Sequence, residues 1–251
     1  MQRADLVAYL DRLLRNADIK DSSQNGLQVE GVGEVQRVAF AVDACRAAFR
    51  KAARAGAQLL IVHHGLFWDK PVLPVGPHYR RLRILFDAGL NLYACHLPLD
   101  AHPKLGHNAE LCRLLGLRAR RAFGKYHGTE IGFGGTLPKP LPLSAVVERL
   151  ARATGEPPVR VLASGPKLVR RVGCISGGAA SMLEQAQLAG FDTYVTGEAS
   201  HGSFHDAEER GVNVIFGGHY ATETPGLKAL ARHLEAKFRL KTVFLDLPTG
   251  A

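Results

Sequence analysis

At 251 residues, with 46% apolar and 22% charged side chains, the chain has room for one large domain or two small ones and is too apolar to be disordered. Its longest apolar run falls far short of a membrane span, its start (Met1-Gln2-Arg3-Ala4-Asp5) lacks a secretory pattern, and its four cysteines (Cys45, Cys95, Cys112, Cys174) are scattered with no Cys-x-x-Cys pair. These features argue against a membrane protein, a disulfide framework and a thiolate zinc site, and they suit a reducing cytoplasm. The formal net charge of +9 invites a nucleic-acid partner. Yet the basic residues are spread along predicted helices, and the one cluster (Arg118, Arg120, Arg121, Lys125) has neither a recognisable motif nor an aromatic stacking ladder. It reads as solvated surface, so nucleic acid is an unlikely partner, although the positive field can help recruit an anionic substrate.

In chain order, a helix is predicted over 3–16 and a polar loop over 21–26. The loop leads into Gln24-Asn25-Gly26-Leu27-Gln28, whose Asn25 amide can hold a substrate or simply cap a turn. A strand over 35–42 and a helix over 44–55 follow, ended by Gly56 as a helix C-cap. The apolar strand Leu59-Leu60-Ile61-Val62 then runs into His63-His64-Gly65-Leu66-Phe67-Trp68. Side chains alternate along a strand, so neighbouring histidines are expected to converge only past its end. Strand ends in α/β folds are where ligands and metals collect.

The same order then recurs. Val169 to Ser176 is a strand, 180–189 a helix, Gly190 its stop and Thr193-Tyr194-Val195-Thr196 the next strand, at a constant offset of 134 residues from Val35 and Gly56. Further on, Ala88-Gly89-Leu90-Asn91-Leu92-Tyr93 resembles Arg210-Gly211-Val212-Asn213-Val214-Ile215 at an offset of 122, the difference matching the Pro- and Gly-bearing loop 70–77 of the first copy. The predicted fold is α/β, with two similar halves related by internal duplication and a metal site between them. The first half spans 1–121 and is completed by 226–251, where a helix over 226–238 and a strand over 242–247 are expected. The second half spans 122–225.

Equivalent strand ends carry His63-His64 and Gly197-Glu198, and the next strands end at His96 to Asp100 and His219 to Glu223. His96 with Asp100, and His219 with Glu223, are four apart, which on a helical turn puts both on one face. Thr222 to Pro225 look like a helix start. Mixed imidazole and carboxylate donors suit zinc, iron, manganese, cobalt or nickel, and carboxylates can bridge two ions. His201 and His205 follow Glu198 and read either as proton-transfer groups or surroundings of the ligands, or as purely structural residues; His102, His107 and His127 have weaker cases. Gly177-Gly178 reads as a tight turn in preference to a phosphate loop, and no Walker A loop, Rossmann glycine triplet or nucleophile elbow is present.

Taken together, Asn25-Gly26-Leu27-Gln28-Val29, Val62 to Trp68, His96 to Pro103, Thr196-Gly197-Glu198 and Gly218 to Glu223 resemble the GTP cyclohydrolase type 2 homologue family of NIF-three-like dinuclear-metal proteins, in the family's order and over almost the whole chain. The resemblance implies two divalent metal ions per subunit held by His63, His64, Asp100, His219 and Glu223, with Glu223 the bridge. It also implies a toroidal homohexamer and, at this length, the minimal form without an inserted domain. The segment Gly106-His107-Asn108 departs from the family by a histidine where a second asparagine is expected. The leading expectation is a metal-dependent hydrolase, of cyclohydrolase or phosphoesterase type, acting on a nucleotide or a related phosphorylated or heterocyclic small molecule. In it His96 and His201 would be catalytic and Asn25 would contact substrate. The competing class is a non-enzymatic metal chaperone or regulatory assembly.

Overall fold

The computed structural model describes residues 1–250 and divides into two compact units. One comprises Met1–Leu99 and Leu227–Leu247; the other comprises Asp100–Gly226 and the chain end from Pro248.

The first unit opens with α1 (Arg3–Leu14), which buries Leu6, Leu10 and Leu14, a stripe at helical spacing. It continues through β1 (Gly26–Val29), β2 (Arg37–Asp43), α2 (Arg46–Arg54), β3 (Leu59–His64), α3 (Gly76–Asp87), β4 (Asn91–Ala94) and α4 (Leu97–Asp100). The sheet order is β1-β4-β3-β2 and then β11 (Lys241–Phe244), with β2, β3, β4 and β11 parallel and β1 antiparallel at one edge. Parallel strands are covered on both faces and read as continuous apolar runs. Phe40, Leu60 and Ile61 are fully buried, each side chain contributing roughly 1.5–3 kcal/mol.

The second unit contains α5 (His107–Leu114), β5 (Arg118–Tyr126), β6 (Thr129–Pro142), α6 (Leu143–Thr154), β7 (Arg160–Leu162), β8 (Leu168–Cys174), a 3-10 turn leading into α7 (Leu183–Leu188), β9 (Thr193–Thr196), α8 (Ser203–Arg210), β10 (Asn213–Phe216) and α9 (His219–Thr222). Its sheet runs β5-β6-β8-β9-β10-β7, with β8, β9 and β10 parallel. From Pro225 the chain enters α10 (Pro225–Phe238) and returns to the first sheet through β11.

Duplication is visible in the pairing registers. Val38 pairs with Leu59 in the first sheet and Val172 with Thr193 in the second; Leu59 pairs with Asn91, and Thr193 with Asn213. These are the partners required by the sequence offsets. The two buried asparagines also do the same work. Asn91 Oδ1 accepts from the Gly31 N–H at 2.7 Å and its amide donates to the Val32 carbonyl; Asn213 Oδ1 accepts from Gly165 at 2.9 Å and its amide donates to Pro166.

The expected division after residue 121 would cut through β5, and the structure places the boundary at Leu99–Asp100 instead. The reason is a hairpin absent from the sequence reading. β5 and β6 pair antiparallel across the two-residue turn His127-Gly128, both with positive φ, the backbone of a type I′ turn. β6 then pairs with β8, and α5 packs on the same sheet. The basic cluster is this sheet's edge strand, where charge blocks further strand pairing; Arg120 donates to the Ala109 carbonyl and Arg121 to the Ala189 carbonyl. All four cysteines are free thiols, and among the described residues no helix is long and apolar enough to cross a membrane.

Candidate metal centre

In the first unit β3 extends through both histidines, two residues past the expected end. Their rings nonetheless stand 4.7 Å apart, and the His96 ring lies 5.0 Å from His63 and 5.7 Å from His64. One nitrogen from each of the three lies within 4.8 Å of the others, a group able to hold a metal ion.

The Nδ1 partners decide which nitrogen is offered. His63 Nδ1 meets the Cys95 carbonyl at 2.9 Å, on the β4 side, and His64 Nδ1 meets Asp43 Oδ1 at 2.9 Å, on the β2 side. His96 Nδ1 meets Asp21 Oδ1 at 2.9 Å. A carbonyl or carboxylate oxygen only accepts, so Nδ1 carries the proton in each ring and Nε2 presents a lone pair. Carboxylates and carbonyls behind metal-binding histidines do this.

Asp21 is itself gripped, accepting from the N–H groups of Ser23 and Leu97 and from the Asn25 amide. Burial would raise its pKa, but the hydrogen bond and charge of His96, together with Asn25 and Ser23, outweigh it and hold the carboxyl at about 2. Asn25 is committed at both ends, since its Oδ1 accepts from the His96 N–H at 2.7 Å. The structure therefore places Asn25 as a brace for His96; its amide is not turned outward to a substrate. Half-buried Trp68 lies edge-on to His96 at 5.1 Å, with its indole N–H on the Gly65 carbonyl.

In the second unit His219 opens α9 and Glu223 follows its last turn. The expected four-residue spacing brings His219 Nε2 to 3.1 Å from Glu223 Oε1. Donors sharing one ion at bonds of about 2 Å stand about 3 Å apart. His219 Nδ1 meets Glu198 Oε1 at 2.5 Å, so this ring too offers Nε2. The hydrogen bond His219 donates to Glu223 is the main cause that raises its pKa to about 9; desolvation opposes it, and the charge of Glu223 and the contact with Glu198 add to it.

Gly177 adds a steric observation. Its φ is +68°, and a Cβ there would collide with Glu223 Oε1 and stand 3.2 Å from His219 Nε2. The neighbouring Gly178 faces Glu198. Gly177-Gly178 is therefore a tight turn against carboxylates, the opposite of a phosphate cradle. Asp100, 6% exposed, accepts from the Ser176 hydroxyl at 2.9 Å, and one of its oxygens lies within 4.8 Å of a ring nitrogen of fully buried His107. The three histidines of the first unit can hold a metal ion, and the second unit offers imidazole and carboxylate donors of the same kind.

Other histidines stand elsewhere. His201 is exposed on the turn after β9, and His205 is exposed on α8 against Phe204; neither joins a metal group among the described residues. His102 Nδ1 accepts from the Lys104 and Leu105 N–H groups, and His127 forms the hairpin turn. His107 was the one undervalued by the sequence. Its signal was the position straight after Gly106 at a helix start, close in sequence to Asp100.

The Duf34/NIF3 (NGG1p interacting factor 3) family model matches residues 1–249. The chain is 46% identical over 248 residues to a protein of Deinococcus radiodurans named "GTP cyclohydrolase 1 type 2 homolog", covering 99% of this chain and 94% of that one. It is 45% identical over 250 residues to a protein of the same name from Pyrococcus horikoshii, covering all of both. Among solved structures it is similar to TTHA1606 of Thermus thermophilus, with 48% identity and a TM-score of 0.90, and to the protein ybgI, titled as of unknown function, with 37% identity and a TM-score of 0.92. Each covers 100% of both chains.

Proposed function

Because this chain belongs to the Duf34/NIF3 family, we propose that it is a dinuclear metal protein and a metal-dependent hydrolase of a nucleotide or related phosphorylated or heterocyclic compound. The ligands are His63, His64, Asp100, His219 and Glu223, with Glu223 the bridging carboxylate. One observation carries the reading. His63, His64, His96 and His219 each tie Nδ1 to an oxygen acceptor, so in all four Nε2 is the nitrogen left to face a cation, which at His219 takes the place of the proton shared with Glu223. Four rings held by Nδ1, three of them converging, serve metal binding better than they serve core packing.

Divalent metal would supply polarisation of a substrate oxygen and acidification of an attacking water. The remaining work falls to the chain. His96, outside the five-ligand set, takes up and returns the proton at Nε2, and the Asp21 carboxylate stabilises the imidazolium formed. The half-exposed Trp68 indole beside it offers a flat surface for a heterocycle. His201, on its exposed turn, is left without a part in proton transfer. The name carried by the relatives puts GTP first among the compounds to test.

The test is purification without added metal, followed by a screen of nucleotides and phosphoesters with zinc, iron, manganese, cobalt and nickel. Turnover that is lost on chelation, and lowered in His96→Ala with metal content intact, is the expected result. A complete screen without turnover, with metal exchange altered in His96→Ala, would identify a metal carrier instead. The proposal extends to a toroidal homohexamer built from repeated interfaces. Light scattering at low and high salt tests this, and a monomer in both would refute it.

A further inference from the structure

We propose that His107 is a positioning residue that steers the Asp100 carboxylate through its ring N–H, and that it is not a metal ligand. The proposal rests on Asp100 being a ligand, as argued above.

The argument begins at the start of α10. The first turn of a helix leaves its N–H groups without intrahelical acceptors. Pro225 removes one of these donors, and Gly226 carries the next. Its N–H donates to His107 Nδ1 at 3.1 Å, where both groups are buried. The approach is closer than any other residue would allow, since a Cβ on Gly226 would stand 2.8 Å from His107 Nδ1 and 2.7 Å from the His107 backbone nitrogen. The Nδ1 lone pair is thus spent on a backbone donor, and the proton of the neutral ring sits on Nε2.

This is the reverse of the other four rings. In His63, His64, His96 and His219, Nδ1 faces an oxygen acceptor and Nε2 is the nitrogen left for a cation. In His107 both lone-pair positions are accounted for, one by Gly226 and the other by the ring's own hydrogen. A metal needs a lone pair, whereas a carboxylate needs a donor. A carboxylate oxygen of Asp100 lies within 4.8 Å of a ring nitrogen of His107, a separation that a single bridging water spans.

The neighbouring residue serves the same carboxylate by another route. Asn108 Oδ1 accepts from the Ser176 N–H at 2.7 Å and its amide donates to the Ile131 carbonyl; Ser176 in turn donates its hydroxyl to Asp100 Oδ1 at 2.9 Å. The first two residues of α5 therefore both bear on Asp100, one through Ser176 and one through the imidazole. Two donors on one carboxylate fix which oxygen lone pairs remain for a cation.

Solid-state 15N spectra of histidine-labelled protein, metal-free and loaded with Zn2+, read the tautomer directly, with the His107 signals assigned by their loss in His107→Gln. The expected result is a protonated Nε2 in both states, while at least His63 and His64 have protonated Nδ1 and shift at Nε2 when zinc is added. A protonated Nδ1 in His107, or a zinc-induced shift at its Nε2, would overturn the proposal. Zinc affinity gives the second readout. His107→Gln, which restores an N–H donor but offers no imidazole, should bind within about threefold of wild type, whereas His107→Leu should lose roughly 10–100-fold. Equal losses in both would make His107 a ligand, and no loss in either would remove its positioning role. Asp100→Asn separates the two readings, because unchanged zinc affinity there would sink the assignment of Asp100 while the metal-free spectrum still decides the tautomer.

Discussion

Replacing Gly177 by alanine isolates the steric claim made for Glu223. The residue has φ +68°, and its added methyl would overlap Glu223 Oε1 and lie 3.3 Å from Cδ. Gly56 supplies the control, with φ +65° and nothing within 4 Å of the added atom. Both substitutions incur the left-handed backbone cost of about 1–2 kcal/mol. Only Gly177→Ala also drives a carboxylate oxygen from its place, by a displacement on the order of an ångström, against a tolerance of roughly 0.2 Å in ligand distances. Zinc affinity, measured by competition with a chromophoric chelator, should therefore fall about tenfold or more in Gly177→Ala, equivalent to about 1.4 kcal/mol, and stay at the wild-type value in Gly56→Ala. Urea unfolding of both variants checks that the shared backbone cost is similar. Equal zinc affinity in the two variants would refute the placement of Glu223 as a ligand.

Two further outcomes follow from the same geometry. Glu223→Gln should lower metal content far more than His205→Ala by elemental analysis, because an amide cannot give two anionic oxygens and His205 is exposed on α8. In metal-free protein the His219–Glu223 pair should respond to pH with a definite sign. His219 has a folded pKa raised from 6.5 to about 9, so its stabilising contribution is complete below about 6.5 and is lost as pH rises through about 9. The melting-temperature difference between wild type and Glu223→Gln should shrink over that window, and a difference that grows with pH would contradict the assignment.

Much of the fold was legible because the duplicated strands are fully buried. Such strands must be continuous apolar runs, and Asn91 and Asn213 recur because each meets the same need, satisfying the backbone at an equivalent glycine. The β5–β6 hairpin was not legible. β6 carries Gly132, Gly134, Gly135, Pro138 and Pro140, a composition that argues against a strand. The structure gives the reason for one of these glycines: a Cβ at Gly134 would collide with the Phe191 ring, which also excludes a Cβ at Gly173 on the neighbouring β8, 2.7 Å away. β5 is an edge strand, where arginines replace the apolar alternation that would mark a buried one.

The candidate site divides in the same way. Spacing alone placed His219 over Glu223, since a helical turn fixes that relation. Spacing could not reveal that the Asn25 amide is spent on Asp21 and His96, because Asp21 lies four residues away in the same loop while His96 comes from a segment 71 residues on. Nor could it separate His107 from the other histidines, since the difference lies in which ring nitrogen meets a donor.

The most direct test of the account is metal stoichiometry. Protein purified without added metal, dialysed to equilibrium in turn against zinc, iron, manganese, cobalt and nickel, and analysed by mass spectrometry of the elements should bind two ions per chain with at least one of these metals. His63→Ala, His64→Ala, Asp100→Asn, His219→Ala and Glu223→Gln should each lower that number. Wild-type protein that retains no stoichiometric metal under any of the five conditions, or keeps two ions through all five substitutions, would contradict it.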